Sequence, residues 1–191
     1  WEVAEGFDPI DSRELYIDAD GDGVITSYEN YHGTDPMDKL STPVATFFVD
    51  ASAADGGDGS SANPFNKIQD AVDAAGDYGI IELAAGTYEP VNSHGININN
   101  KRLTLRSKYG AKQTFLDLRY ASTYGVYLRD NEKETVIEGL TIRNDKNTSH
   151  VFYSYRDYSQ INNCIFEKSS TAIRIDSHGT IFRNCLFREF K

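Results

Sequence analysis

The chain has 191 residues, 39% of them hydrophobic and 12% aromatic, with a formal net charge of −10. That length buries one sizeable core with a small appendage, and the aromatic content is too high for a disordered chain. The negative balance argues against a general nucleic-acid binder, two cysteines exclude a disulfide scaffold, and no apolar run approaches the ~18 residues of a transmembrane helix.

The acidity is local. Residues 1–60 hold fourteen acids and only two bases, Arg13 and Lys39. Such asymmetry points to two modules, and packed carboxylates repel one another unless cations neutralise them. In chain order the first pattern is Gly6-Phe7-Asp8-Pro9-Ile10-Asp11, which shares Gly-x-Asp-Pro-x-Asp with Gly33-Thr34-Asp35-Pro36-Met37-Asp38. Glu2 precedes Gly6 by the same step as Glu29 precedes Gly33. Trp1 therefore reads as the last turn of an earlier repeat, and the native protein is expected to continue beyond both Trp1 and Lys191. The sequence shows no charged n-region followed by an apolar h-region, so any signal peptide is expected to be already removed, in keeping with a processed or partial product.

The run from Asp18 to Glu29 fits a twelve-residue calcium loop. Asp18, Asp20 and Asp22 stand at positions one, three and five. Gly23 takes the sharp turn at six, Val24 offers its carbonyl at seven, Thr26 lies at nine, and Glu29 supplies a bidentate carboxylate at twelve. Calcium takes six to eight hard oxygen ligands, which alternate carboxylates on a tight loop deliver. Ile25 is the apolar anchor. Asp8, Asp35 and Asp38 either add ligands or cap Asp-Pro turns; both readings stay open.

With its trailing Gly-Thr-Asp-Pro, this loop resembles the thrombospondin type 3-like calcium repeats of secreted microbial proteins, and is similar to dockerin and EF-hand loops. The resemblance covers about residues 1–38. It implies an extracellular, calcium-stiffened spacer, with Ca2+ held by Asp18, Asp20, Asp22, Val24, Thr26 and Glu29.

Residues 39–45 read as a linker and residues 46–191 as a second module. Thr46 to Asp50 forms a short strand, and Asp55 to Ser61 is a Gly/Asp/Ser loop. Asn63 predicts a helix cap with Pro64 at the first helical position. Phe65, Ile68, Ala71, Val72 and Ala75 share its apolar face, and Gly76 ends it. Gly79 to Leu83 reads as a strand, broken by the turn at Ala85-Gly86-Thr87-Tyr88.

Beyond residue 95, short strands recur with a solenoid period and no helix between them. Aligning Leu103-Thr-Leu-Arg, Leu140-Thr-Ile-Arg, Cys164-Ile-Phe-Glu and Cys185-Leu-Phe-Arg predicts two inward ladders. One is Leu103, Leu140, Cys164 and Cys185; the other is Leu105, Ile142, Phe166 and Phe187. A further ladder is Val126, Val151 and Ile173. Asn144, Asn162, Asn163 and Asn184 fall near corners, where a left-handed backbone or a side-chain hydrogen bond suits Asn. The fold class is all-β: a parallel β-helix preceded by the calcium module. Cys164 and Cys185 sit one coil apart, within bridging reach, but parallel side chains suit the disulfide dihedral poorly. Two buried thiols are expected.

The order Phe48-Val49-Asp50, Asn63-Pro64-Phe65-x-x-Ile68, Ile81-x-Leu83 and Ala85-Gly86-Thr87-Tyr88 resembles the entry to pectin-lyase-like right-handed β-helices, over about residues 46–191. The resemblance implies a right-handed solenoid whose short helix caps its N-terminal end. It also implies an alternative function as a polysaccharide lyase or related carbohydrate-active enzyme acting on acidic polysaccharide. The outward column Arg106, Arg143, Glu167 and Arg188 holds the nearest catalytic candidates, Arg106, Arg143 and Glu167, and an ordinary solvated face reads the same way. No catalytic motif of the family carries over residue by residue. Tyr127 and Phe152, read as outward neighbours, and Tyr155 are candidates for stacking on a glycan. Tyr120, Tyr124 and Tyr158 belong to the same aromatic-rich stretch. His32, His94, His150 and His178 share no ligand spacing, and Asn147-Thr148-Ser149 is a glycosylation sequon by pattern. Together these features point to a secreted or cell-surface segment that presents a face to a polysaccharide or a surface protein, without catalysis of its own. A filament or surface-layer subunit, docked through its open coil end, is a third reading.

Overall fold

The computed structural model describes residues 17–22, 24–90, 95–121, 124–129, 134–144, 150–155, 159–168, 173–176 and 179–189. The half-repeat around Gly6 to Asp11, Gly23, His94, the sequon, Tyr158 and His178 lie outside them. The chain divides into two compact units, Trp1–Val44 and Ala45–Lys191.

In the first unit, helix α1 (Thr26–His32) follows the acidic loop and ends at Gly33 in the left-handed region, φ 74°. Val24, Ile25 and Tyr28 are fully buried and form its small core. Residues 39–41, read as linker, are hydrogen-bonded into this unit: Asp38 accepts from the Leu40 and Ser41 amides, and the Ser41 hydroxyl accepts from the Asp35 amide.

The second unit is a parallel β-solenoid of about four turns. Its elements run β1 (Phe47–Val49), α2 (Ile68–Ala74), β2 (Gly79–Leu83), β3 (Gly86–Tyr88), β4 (Ile96–Asn97) and β5 (Leu103–Ser107). They continue through β6 (Thr114–Asp117), β7 (Tyr124–Arg129), β8 (Val136–Glu138), β9 (Thr141–Arg143) and β10 (His150–Tyr155). The last are β11 (Gln160–Asn162), β12 (Ile165–Glu167), β13 (Ile173–Asp176), β14 (Ile181–Arg183) and β15 (Leu186–Arg188). Three sheets form, ordered β1-β2-β5-β8-β11-β14, β4-β7-β10-β13 and β3-β6-β9-β12-β15. Every strand pairing among the described residues is parallel, as expected when each coil stacks on the one before it.

The inward ladders form the core. The first sheet contributes Ile81, Leu105, Ile137, Ile161 and Phe182 in register. The second contributes Ile96, Val126, Phe152 and Ile173. The third contributes Tyr88, Leu116, Ile142, Phe166 and Phe187. Each large rung buried this way is worth roughly 1.5–3 kcal/mol.

These registers correct all three expected ladders. Leu103 and Leu105 lie on the first sheet, whereas Leu140, Cys164, Cys185, Ile142, Phe166 and Phe187 lie on or beside the third. The true coil before Thr141-Ile142-Arg143 is Phe115-Leu116-Asp117. Identical Leu-Thr-x-Arg patterns occur on both sheets because both need alternate apolar and polar positions. The second correction is a slip of one residue: Val126 pairs with Phe152, not Val151. A one-residue slip moves a side chain to the opposite face, so Phe152 is fully buried in the core and the expected outward position falls to Tyr153.

The capping helix starts later than Pro64. Phe65 remains extended, donating its amide to Phe48 O and accepting from Asp50 at its carbonyl, beside the bridge Val49–Phe65. That arrangement covers the outer edge of β1, and the helix begins only at Ile68. Its buried face is Ile68, Ala71 and Val72. Gln69 pairs through its side-chain amide with both backbone groups of Asn97, closing the free edge of β4. Lys101 donates to the carbonyls of Val72, Asp73 and Ala75, placing a cation at the negative end of the helix. Tyr88 donates to Val49 O and Ala84 O and pins the first corner.

Asn163 and Asn184 are left-handed, with φ 53° and 51°, and stack on Gly139 at φ 66° at the corner between the first and third sheets. Asn162 instead lies within β11, and Asn144 follows β9 without a left-handed backbone. Both cysteines are free: Cys164 is buried and Cys185 half-buried, and burial pushes both thiols up.

Glu134 is 2% exposed and accepts a hydrogen bond from Gln160 Nε2 at 2.6 Å. Burial pushes its carboxyl up to about 8, against the opposing pull of Gln160, Arg102 and Arg183. The folded solenoid therefore holds a proton that the unfolded chain has already released. Its stabilisation is complete below the ordinary carboxylate range and is lost as pH rises through about 8. In chemical denaturation, Glu134→Gln is expected to come close to the parent near pH 5 and to exceed it by a few kcal/mol, about 4 at most, near pH 9. Equal pH slopes for the two proteins would refute this.

Candidate metal centre

The acidic loop is wound by its own carboxylates. Asp18 Oδ1 accepts the Gly21 amide at 2.7 Å, Asp20 Oδ1 the Asp22 amide at 3.0 Å, and Asp22 Oδ1 the Val24 amide at 2.7 Å. Gly21 takes φ 80°, open to glycine without strain. These turns bring a carboxylate oxygen from each of Asp18, Asp20 and Asp22 within 4.8 Å of one another. Thr26 closes the loop, donating both its amide (2.8 Å) and its hydroxyl (3.0 Å) to Ile17 O.

Helix α1 then carries Glu29 inward. Its side chain belongs to a fully buried residue, and neither carboxylate oxygen has a hydrogen-bond partner among the described residues. Burial, followed by repulsion from Asp22, Asp20, Asp18 and Asp35, pushes its carboxyl up to about 8. Asp20 is raised for the same leading reason, and its Oδ2 is likewise buried without a partner. A buried carboxylate with nothing to bond is expensive. A hard cation would satisfy all of these oxygens, and the donor set contains no nitrogen or sulfur to favour a softer metal.

The structure brings Asp18, Asp20 and Asp22 together, and Glu29 lies outside that 4.8 Å cluster but near enough to be repelled by all three. Val24 is buried beside them, and Thr26 is placed as the latch of the loop. Asp35 and Asp38 cap turns, each accepting the amide two residues on. α1 was not legible in the sequence; the signal was the run Val24, Ile25 and Tyr28, one side of a single helical turn.

The solenoid candidates are separated. Arg106 lies on the first sheet and pairs with Glu82 at 3.1 Å. Arg143, Glu167 and Arg188 share the third sheet, but the column begins at Asp117, not Arg106. The Asp117 side chain is fully buried and accepts from Arg143 at 3.0–3.1 Å and from Arg119. Burial alone would raise Asp117, yet these hydrogen bonds outweigh it and hold the carboxyl below its usual range. Arg143 also lies 5.1 Å over the Phe115 ring. Glu167 is held by Arg188 at 2.6–2.8 Å. Of the proposed glycan contacts, Tyr127 and Tyr155 are half-buried on the second sheet and Phe152 is in the core. Tyr124 and Tyr153 stack on Tyr127.

Comparison with protein-family models, curated proteins and solved structures found no match to this chain.

The Asp117–Arg143 pair is expected to act on stability. Arg143→Ala should cost about 1–3 kcal/mol in denaturant unfolding, and the double variant with Asp117→Ala should cost clearly less than the sum of the two single losses, because both singles remove the same buried pair. Additive losses would contradict the pairing.

Proposed function

We propose that this chain is a calcium-binding β-solenoid segment of a secreted or cell-surface protein, whose acidic N-terminal module is held in shape by Ca2+. The observation that carries the proposal is Glu29: a carboxyl buried without a hydrogen-bond partner among the described residues, within electrostatic reach of the convergent Asp18, Asp20 and Asp22. Asp18, Asp20, Asp22 and Glu29 supply side-chain oxygens, and Val24 and Thr26 complete the set through the Val24 carbonyl and a water on Thr26. The ion screens carboxylates that otherwise repel, so binding is stabilisation of this module. The spacing and the trailing Gly-Thr-Asp-Pro, similar to thrombospondin type 3-like repeats, support an extracellular spacer. The solenoid, with its pectin-lyase-like entry, then offers a long face to a polysaccharide or a surface protein. No observation favours the lyase reading: Arg106 and Arg143 are each engaged by a carboxylate of the neighbouring coil.

Calorimetric titration of the chain with Ca2+ is expected to give one site with Kd at or below ~10⁻⁴–10⁻³ M. Chelation should open residues within the first unit to protease while the solenoid resists. Glu29→Gln should abolish the calcium response and yet protect the calcium-free module above about pH 8, where the apo Glu29 carboxyl is forced to ionise while buried. No binding heat at millimolar Ca2+, or an apo Glu29→Gln protein more labile than the apo parent above about pH 8, would overturn the reading.

A further inference from the structure

On the outer surface of the second sheet, Tyr124, Tyr127 and Tyr153 form a near-parallel trio. Their ring centroids lie 4.9 Å (Tyr124–Tyr127), 4.7 Å (Tyr124–Tyr153) and 5.4 Å (Tyr127–Tyr153) apart, with interplanar angles of 8–18°. Tyr127 and Tyr153 are Cα partners on adjacent strands, so their side chains leave the sheet side by side, one coil apart. All three are half-buried, open to a small reagent yet restrained. Two bases flank the trio. Tyr153 donates its hydroxyl to Asp176 Oδ2 at 3.2 Å, and the His150 ring lies 6.0 Å from Tyr124.

We propose that this trio is a site of oxidative modification, at which a one-electron oxidant joins Tyr153 to a tyrosine of the preceding coil as dityrosine, stapling two turns of the solenoid. Each phenol gives one electron to the oxidant and its hydroxyl proton to a neighbouring base. For Tyr153 that base is the Asp176 carboxylate. The two phenoxyl radicals combine at ring carbons ortho to oxygen, forming one C–C bond. Each ortho hydrogen then moves to its own oxygen, restoring both phenols. The net loss is two protons and two electrons, taken up by two equivalents of oxidant. Burial and the Asp176 bond keep the Tyr153 phenol protonated at neutral pH, so its oxidation must shed a proton, and the acceptor is already in place. Burial and Arg174 hold His150 below its ordinary range, leaving a neutral imidazole beside Tyr124. Coupling within the chain outpaces coupling between chains because the partner ring is already adjacent.

The test uses the whole chain at low concentration with photogenerated ruthenium(III) tris-bipyridine and persulfate. The expected product is a monomer lighter by two hydrogens, with dityrosine fluorescence. Its tryptic peptide 147–156 should be joined to peptide 120–129, and it should melt higher than the parent. Tyr153→Phe preserves the stacked ring and the fold but removes the phenol, and should bring the crosslink down to background. So should the double variant Tyr124→Phe/Tyr127→Phe, which leaves Tyr120 in the same peptide, whereas Tyr109→Phe should leave the yield unchanged. An equal yield in Tyr153→Phe, or dityrosine formed only between chains through the exposed Tyr31, Tyr109 and Tyr120, would overturn the proposal.

Discussion

In-register stacking of successive coils is the constraint on which the solenoid depends. Each strand bonds to a copy of itself above and below, so every side chain meets the side chain at the same position one coil away. Inward positions must therefore be apolar all the way along, as in Tyr88, Leu116, Ile142, Phe166 and Phe187. Phe166 and Phe187 stack at 5.2 Å with their planes 8° apart, the arrangement that a parallel ladder of identical residues imposes. No single coil could bury these rings, so stability belongs to neighbouring pairs of coils. The N-terminal end escapes the edge problem through Phe65, Gln69 and Lys101, which engage exposed strand or helix backbone.

The same rule governs the outer surface. Like charges stacked at strand spacing would repel, and the third sheet alternates Asp117, Arg143, Glu167 and Arg188. The paired charges explain why Arg143 reads as part of the framework, engaged on a buried carboxylate rather than aimed at solvent. On the second sheet the stacked positions are aromatic, and the ladder geometry brings three phenols close enough to react with one another.

The acidic loop follows the opposite logic. Asp18, Asp20 and Asp22 each spend one oxygen on a backbone amide, and this bends the loop so that like charges converge. Glu29 joins them from a helix, buried and without a bond of its own. Among the described residues neither Glu29 oxygen finds a hydrogen bond, and that is the observation on which the proposed cation rests.

The sequence by itself determined the parallel solenoid, the helix near its entry, the ladder from Ile142 to Phe187 and the spacing of the acidic loop. Period, apolar alternation and ligand spacing are local properties, and they survive in one dimension. Register was decided only in three dimensions. Loops of different length separate the coils, so equal motifs such as Leu103-Thr-Leu-Arg106 and Leu140-Thr-Ile-Arg143 can belong to different sheets. A slip of one residue placed Phe152 in the core and Tyr153 outside, because strand side chains alternate and packing, not motif identity, chooses the face. The start of the capping helix was likewise a tertiary outcome: the open edge of β1 claimed Phe65 before the helix could. The burial of Glu29 depended on a helical turn and a small core that no spacing rule encodes.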